Sequence, residues 1–191
     1  MSSILDLIRQ DKNYSSDRSV QWFRTKIATL AGSKLSSIQM LGQMQKEQVR
    51  ISQLMPGSMY MFVYAAKHRE TLPFYDKFPL IIPFSKDAKS FHGLNFHYLP
   101  PMQRVLLLDN LMQLQKRHSK NRNDYLRISW AMLSAAAKTK HIQPCVKMYL
   151  NGYVRSMFIE IPIQDWPAAI LLPTENFAGA SREEVWKQSR K

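Results

Sequence analysis

The sequence predicts an α+β fold: a small antiparallel sheet or partial barrel packed with helices, preceded by an N-terminal helical arm. Three observations carry that reading. Short apolar runs with two-residue alternation fall at about 59–64, 78–84, 93–99 and 157–163, each bounded by Pro, Gly or polar turns. Segments with helical spacing lie before, between and after them. A 45% hydrophobic share with 11% aromatics is enough to build a core. The expected organisation is an arm over residues 1–50 and one α+β domain over 51–191.

Taken in order, "SDRSVQWFRTKIATLA" at 16–31 predicts a helix. Ser16 or Asp17 caps it, Gly32 ends it, and Val20, Phe23, Ile27 and Leu30 share a face. Residues 33–50 are rich in Gln, Met and Ser and read as a linker, and "MPG" at 55–57 is a break. "MYMFVYA" at 59–65 sets Tyr60, Phe62 and Tyr64 against Met59, Met61 and Val63, the pattern of a strand covered on both faces. "KHRE" follows as a polar turn. "FPLIIPF" at 78–84 carries Pro79 and Pro83, which predicts a short strand or a sheet edge because proline donates nothing to a ladder.

"GLNFHYL" at 93–99 predicts a strand with Asn95 and His97 on its polar side and Leu94, Phe96 and Tyr98 inward. Pro101 is placed to open a helix to about residue 116, with Val105, Leu108, Leu111 and Met112 inward. Residues 116–123 form a basic connection, and a second helix is expected at about 124–139. Pro144 predicts a third, short helix through "CVKMYLN", closed by Gly152. "SMFIEIPI" reads as a strand, Asp165 as a cap for a turn through "WPAAILL", and Ser181 with Glu184 as the capping box of a C-terminal helix.

The charge balance narrows the function. The net charge is +13, from 27 basic and 14 acidic side chains. Residues 102–150 hold 9 of the basic and 2 of the acidic groups, so more than half of the excess lies there. Such a field attracts nucleic acid or an acidic protein surface. Lys116, Arg117, Lys120, Arg122 and Arg127 are the candidates for phosphate or an acidic partner. No run approaches 18 apolar residues, so no membrane span is expected, and the N-terminus lacks the apolar core of a signal peptide. The single cysteine excludes an internal disulfide and fits synthesis in a reducing compartment.

Catalytic patterns are missing. His92 and His97, five apart, fit neither helical nor strand spacing for a metal pair. The stretch around them reads as a rigid corner into the following helix. Cys145 after Pro144 is the lone candidate thiol, and an inert cysteine is the simpler reading. No nucleophile elbow, phosphate-binding glycine loop or paired carboxylate motif occurs. The expectation is therefore a non-enzyme with no cofactor and no metal. Large aromatics instead mark surfaces for other chains: Trp22, Phe23, Phe74, Tyr75, Phe78 and Trp186 are the interface candidates.

Three stretches, "PGSMYMFVYAAKHRETLPFYDKFPLIIPF", "GLNFHYLPP" and "CVKMYLNGYVRSMFIEIPIQDWPAAILLPTENFAGASREEVWKQSR", resemble a family of small virion and assembly proteins of T-even-like contractile-tailed bacteriophages. The resemblance is densest over 56–101 and 145–190 and brings no catalytic residue with it. It implies a part made in the host cytoplasm and placed in the virion, among other phage structural proteins. Two roles follow. The main expectation is a structural subunit of the tail, baseplate or hub that bridges neighbouring subunits. The alternative is a basic protein that grips packaged DNA or DNA ends through residues 102–150 without reading bases.

Overall fold

The computed structural model describes residues 48–118, 142–161 and 166–189. The expected helices at 16–31 and 124–139, the linker up to residue 47, and Asp165 lie outside the described residues.

Six strands make one antiparallel sheet. They are β1 (Gln48–Val49), β2 (Met59–Met61), β4 (Leu80–Lys86), β5 (Ser90–Asn95), β6 (Val146–Leu150) and β7 (Phe158–Ile161), in the spatial order β1-β7-β2-β4-β5-β6. A separate pair joins β3 (Tyr75–Asp76) to β8 (Phe177–Ala178). Among the described residues three helices accompany them: α1 (Pro101–His118), α2 (Trp166–Ala169) and α3 (Arg182–Gln188). The fold is α+β, as expected, and the sheet stays open with β1 and β6 at its edges.

Alternation along β2 and β4 divides the core in two. Met59, Met61, Leu80 and Ile82 face one way and meet Val105, Leu108 and Leu111 of α1 together with Trp166 and Ile170. Tyr60, Phe62, Tyr64 and Ile81 face the other way and meet Phe91, Tyr149 and Phe158. Each fully buried large apolar side chain contributes about 1.5–3 kcal/mol. In the second cluster Phe62 lies 4.6 Å from Phe158, 5.3 Å from Tyr149 and 5.7 Å from Phe91 between ring centroids. Such pairs add about 0.5–1.5 kcal/mol beyond the area that they bury. Val63, the last inward position expected on the methionine face, is instead 42% exposed.

Three expectations are corrected. The strand with two prolines is neither short nor at an edge: β4 has seven residues and lies between β2 and β5. The Pro83 carbonyl accepts from Gly57 N at 3.0 Å. The nitrogen of an extended residue points to the same side as its carbonyl, so the missing donor faces the 55–58 turn, past the end of β2. The pairing with β5 shifts register between Pro83 and Ser85, which absorbs the ring.

The strand predicted through residue 99 stops at Asn95. Its Oδ1 accepts from His97 N at 3.0 Å and curls Phe96–Tyr98 into a 3-10 turn. Residues 94–99 are all buried there, so His97 does not lie on a polar face. The expected helix after Pro144 is a single 3-10 turn, Gln143–Cys145, followed by strand β6. Five residues beginning with a β-branched valine continue the ladder on β5, in register from Leu94↔Val146 to Ser90↔Leu150. Two predicted starts hold: Pro101 is the first residue of α1, and Ser181 and Glu184 form the capping box of α3.

Candidate nucleic-acid interface

The aromatic candidates are engaged with their own fold where they are described. Phe74 is half-buried with its ring 6.2 Å from Tyr98, Tyr75 packs on the Phe62 cluster, and Phe78 packs on the α1 side. Trp186 Nε1 donates to the His97 carbonyl at 2.8 Å. Its ring lies 5.6 Å from the Arg104 guanidinium and 5.8 Å from that of Arg182. Trp22 and Phe23 lie outside the described residues, as do Lys120, Arg122 and Arg127. Lys116 and Arg117 fall at the end of α1, where only the backbone is described.

Under the β3–β8 pair runs a buried polar chain that the sequence did not reveal. Asp76 Oδ2 lies 2.7 Å from His97 Nδ1 and accepts from Asn95 Nδ2 at 2.9 Å. His97 Nε2 lies 3.0 Å from Thr174 Oγ1, and Asn95 Nδ2 also donates to the Tyr149 hydroxyl at 3.0 Å. Burial first, then the nearby Tyr98 and Asp76, pushes the Tyr149 phenol well up, so it stays protonated. The order hydroxyl–imidazole–carboxylate resembles a nucleophile relay. His97 has no exposed surface, however, and each group is satisfied inside the core. The chain acts as a strut between β3, the 96–98 turn and the segment before β8.

Beside it, Arg104 is 1% exposed and donates to the carbonyls of Leu99 at 2.7 Å and Ile170 at 3.1 Å. Its Nη1 lies 3.4 Å from Glu175 Oε2, and Arg182 Nη1 lies 3.3 Å from Glu175 Oε1. Burial pushes the Glu175 carboxyl up, but the Arg104 charge and the hydrogen bonds around it win and hold it below its ordinary value. Cys145 is fully buried, and burial lifts its thiol to about 12. It is an inert core residue at neutral pH. Among the described residues no three His, Cys, Asp or Glu side chains converge as a metal site requires.

The surface that fits a polyanion is elsewhere. The polar turn after β2 is tight, because the His68 carbonyl accepts from both Thr71 N at 3.0 Å and Leu72 N at 2.9 Å. It projects Lys67, His68, Arg69 and Glu70 into solvent. Residues 63–65 run antiparallel to 153–155: Ala65 N donates to the Tyr153 carbonyl at 3.0 Å and Arg155 N to the Val63 carbonyl at 2.8 Å. That pairing brings Tyr153 and Arg155 to the turn. Together they line a cleft of about 370 Å³, walled by Ala65, Ala66, Lys67, His68, Arg69, Glu70, Thr71, Tyr153 and Arg155.

Three side chains that are cationic at neutral pH share this cleft with one carboxylate, Glu70, which stands 4.0 Å from Arg69. Both partners of that pair are well exposed, so it is weak and easily displaced. The Arg155 guanidinium lies 5.6 Å from the Tyr153 ring, which orients it along the wall. A basic cleft with an aromatic wall suits phosphate and base contact. The only sequence signal was "KHRE", three basic residues in four, read as a polar turn. The other wall arrives some 85 residues later in the chain.

Comparison with known families bears on the two expected roles. The family described as Phage T4 terminal DNA protecting protein matches residues 1–189. The chain belongs to that family. No curated protein and no solved structure is similar enough to add to this. Membership confirms the phage resemblance and makes the protein a virion-associated, DNA-linked component. It favours the DNA-end alternative over a place in the tail or baseplate. No helix among the described residues is long and apolar enough to cross a membrane.

Proposed function

We propose that this protein binds the ends of linear duplex DNA in a phage particle and covers them without catalysis. The reading rests on the family match over residues 1–189, the family being described as protecting terminal DNA. A net charge of +13 and the cleft at 65–71 and 153–155 support it. The basic residues of 102–150 add sequence-independent grip on the flanking phosphates, with Lys116, Arg117, Lys120, Arg122 and Arg127 in that role. Phosphate contacts of this kind hold the duplex without reading bases, which suits a protein that must accept whatever sequence lies at an end.

The test is titration with equal lengths of blunt-ended linear and covalently closed circular DNA from roughly 50 to 200 mM salt. Linear DNA should bind more tightly at every salt concentration. Affinity should fall by about 10³-fold over that range if six phosphates are held. Charge reversal at Lys116, Arg117 and Arg122 should flatten the salt response. Equal, weak binding to both forms would overturn the reading and return the basic surface to an acidic protein partner in the particle.

A further inference from the structure

The cleft beside the 67–71 turn is a concavity walled in part by Lys67, Arg69 and Arg155. We infer that it holds the terminal phosphomonoester of a DNA strand, an inference that rests on the end-binding reading. An internal phosphodiester carries one charge and is tethered on both sides, so it lies along a surface. A terminal phosphomonoester carries about −1.5 to −2 at neutral pH, by analogy with phosphorylated side chains, and projects from the chain end. Such a group enters a concavity, and a volume of about 370 Å³ is room for it together with its nucleotide.

The lining matches that chemistry. Lys67 supplies a point charge, and Arg69 and Arg155 supply guanidinium forks that fit phosphate oxygens in pairs. The one carboxylate is already turned toward Arg69 in a weak pair that a dianion displaces. Lys67, Arg69 and Arg155 are exposed, so none is held as a core strut. Arg155 Nη1 makes a hydrogen bond to the Gly152 carbonyl at 3.2 Å, which leaves its other nitrogens for a ligand.

A second feature also belongs to ends. Val63 and Met157 are 42% and 43% exposed, and Val63 is tied to the same strand pair through Ser156 Oγ at 2.8 Å and Arg155 N at 2.8 Å. Val63 thus stands across the strand pair from Arg155. The last base pair of a duplex exposes one ring face that an internal base pair hides by stacking, and an apolar surface beside the phosphate site covers it.

The experiment compares one blunt duplex carrying a 5′-phosphate, a 3′-phosphate or hydroxyls at both ends, with a covalently closed circle as reference. Wild-type protein should prefer one phosphorylated end over the hydroxyl end by about tenfold, equivalent to about 1.4 kcal/mol. The arm that shows it identifies the polarity. In K67A/R155A the preference should fall to within about twofold, while K187A, which removes one charge from α3, should keep it. V63S should weaken all three linear forms alike and leave the circle unchanged. Unchanged melting temperatures confirm that the variants fold. If linear DNA beats the circle but terminal phosphate makes no difference, or K67A/R155A keeps the preference, the cleft assignment is wrong and end binding stands. If linear and circular DNA bind equally, end binding itself falls and the cleft assignment with it.

Discussion

Arg104 and Glu175 show how much rests on single side chains. Arg104 has almost no exposed surface, so its charge is tolerable only because Glu175 and two or more carbonyls answer it. Replacing Glu175 by Gln keeps the shape but leaves a buried guanidinium uncompensated, which should cost about 3–5 kcal/mol at neutral pH, read from urea unfolding. The pH dependence has a fixed sign. The folded protein holds the Glu175 carboxyl below its ordinary value, so its contribution is complete above about pH 4.3 and is lost as pH falls through the folded value. Wild type and E175Q should therefore converge in stability toward acid pH. A constant gap would mean that the loss comes from packing and not from charge. This pair was illegible in the sequence because Arg104 and Glu175 are 71 residues apart and each sits among ordinary helix or loop residues.

At the scale of elements, local signals survived where local chemistry decides the outcome. Pro101 opening α1, the Ser181–Glu184 box opening α3 and the two-faced strand β2 were all visible in a few consecutive residues. Signals failed where a neighbour decides. The segment after Pro144 became a strand because β5 offered an edge, and β4 reached the sheet interior because Pro83 falls opposite a turn. The capping box gives a direct test. Ser181 Oγ accepts from Glu184 N at 3.3 Å, and Glu184 Oε2 accepts from Ser181 N at 2.8 Å. S181A should destabilise by about 1 kcal/mol and raise amide exchange at Glu184 and Val185, while the 80–95 ladder stays protected. Equal loss of protection in β4 and β5 would show that α3 is not a separable unit and that its Trp186 anchor on the His97 carbonyl couples it to the sheet.

For the whole molecule, the charge of +13 acts on stability and on binding with opposite salt dependence. The basic excess was readable from composition alone, but the concave part of it was not, since its two walls come from residues 65–71 and 153–155. Without DNA, like charges repel in the compact state, so added salt should raise the melting temperature slightly. With linear DNA at about 100 times its dissociation constant, the folded state gains about 2.7 kcal/mol, which for a chain of this size is an upward shift of about 5–10 °C. Salt removes that gain by weakening phosphate contacts. The slope of melting temperature against salt should therefore be positive for the free protein and negative for the complex. A subunit whose basic surface faces protein partners would give one positive slope in both samples, so a pair of thermal scans at two salt concentrations separates the two roles before any affinity is measured.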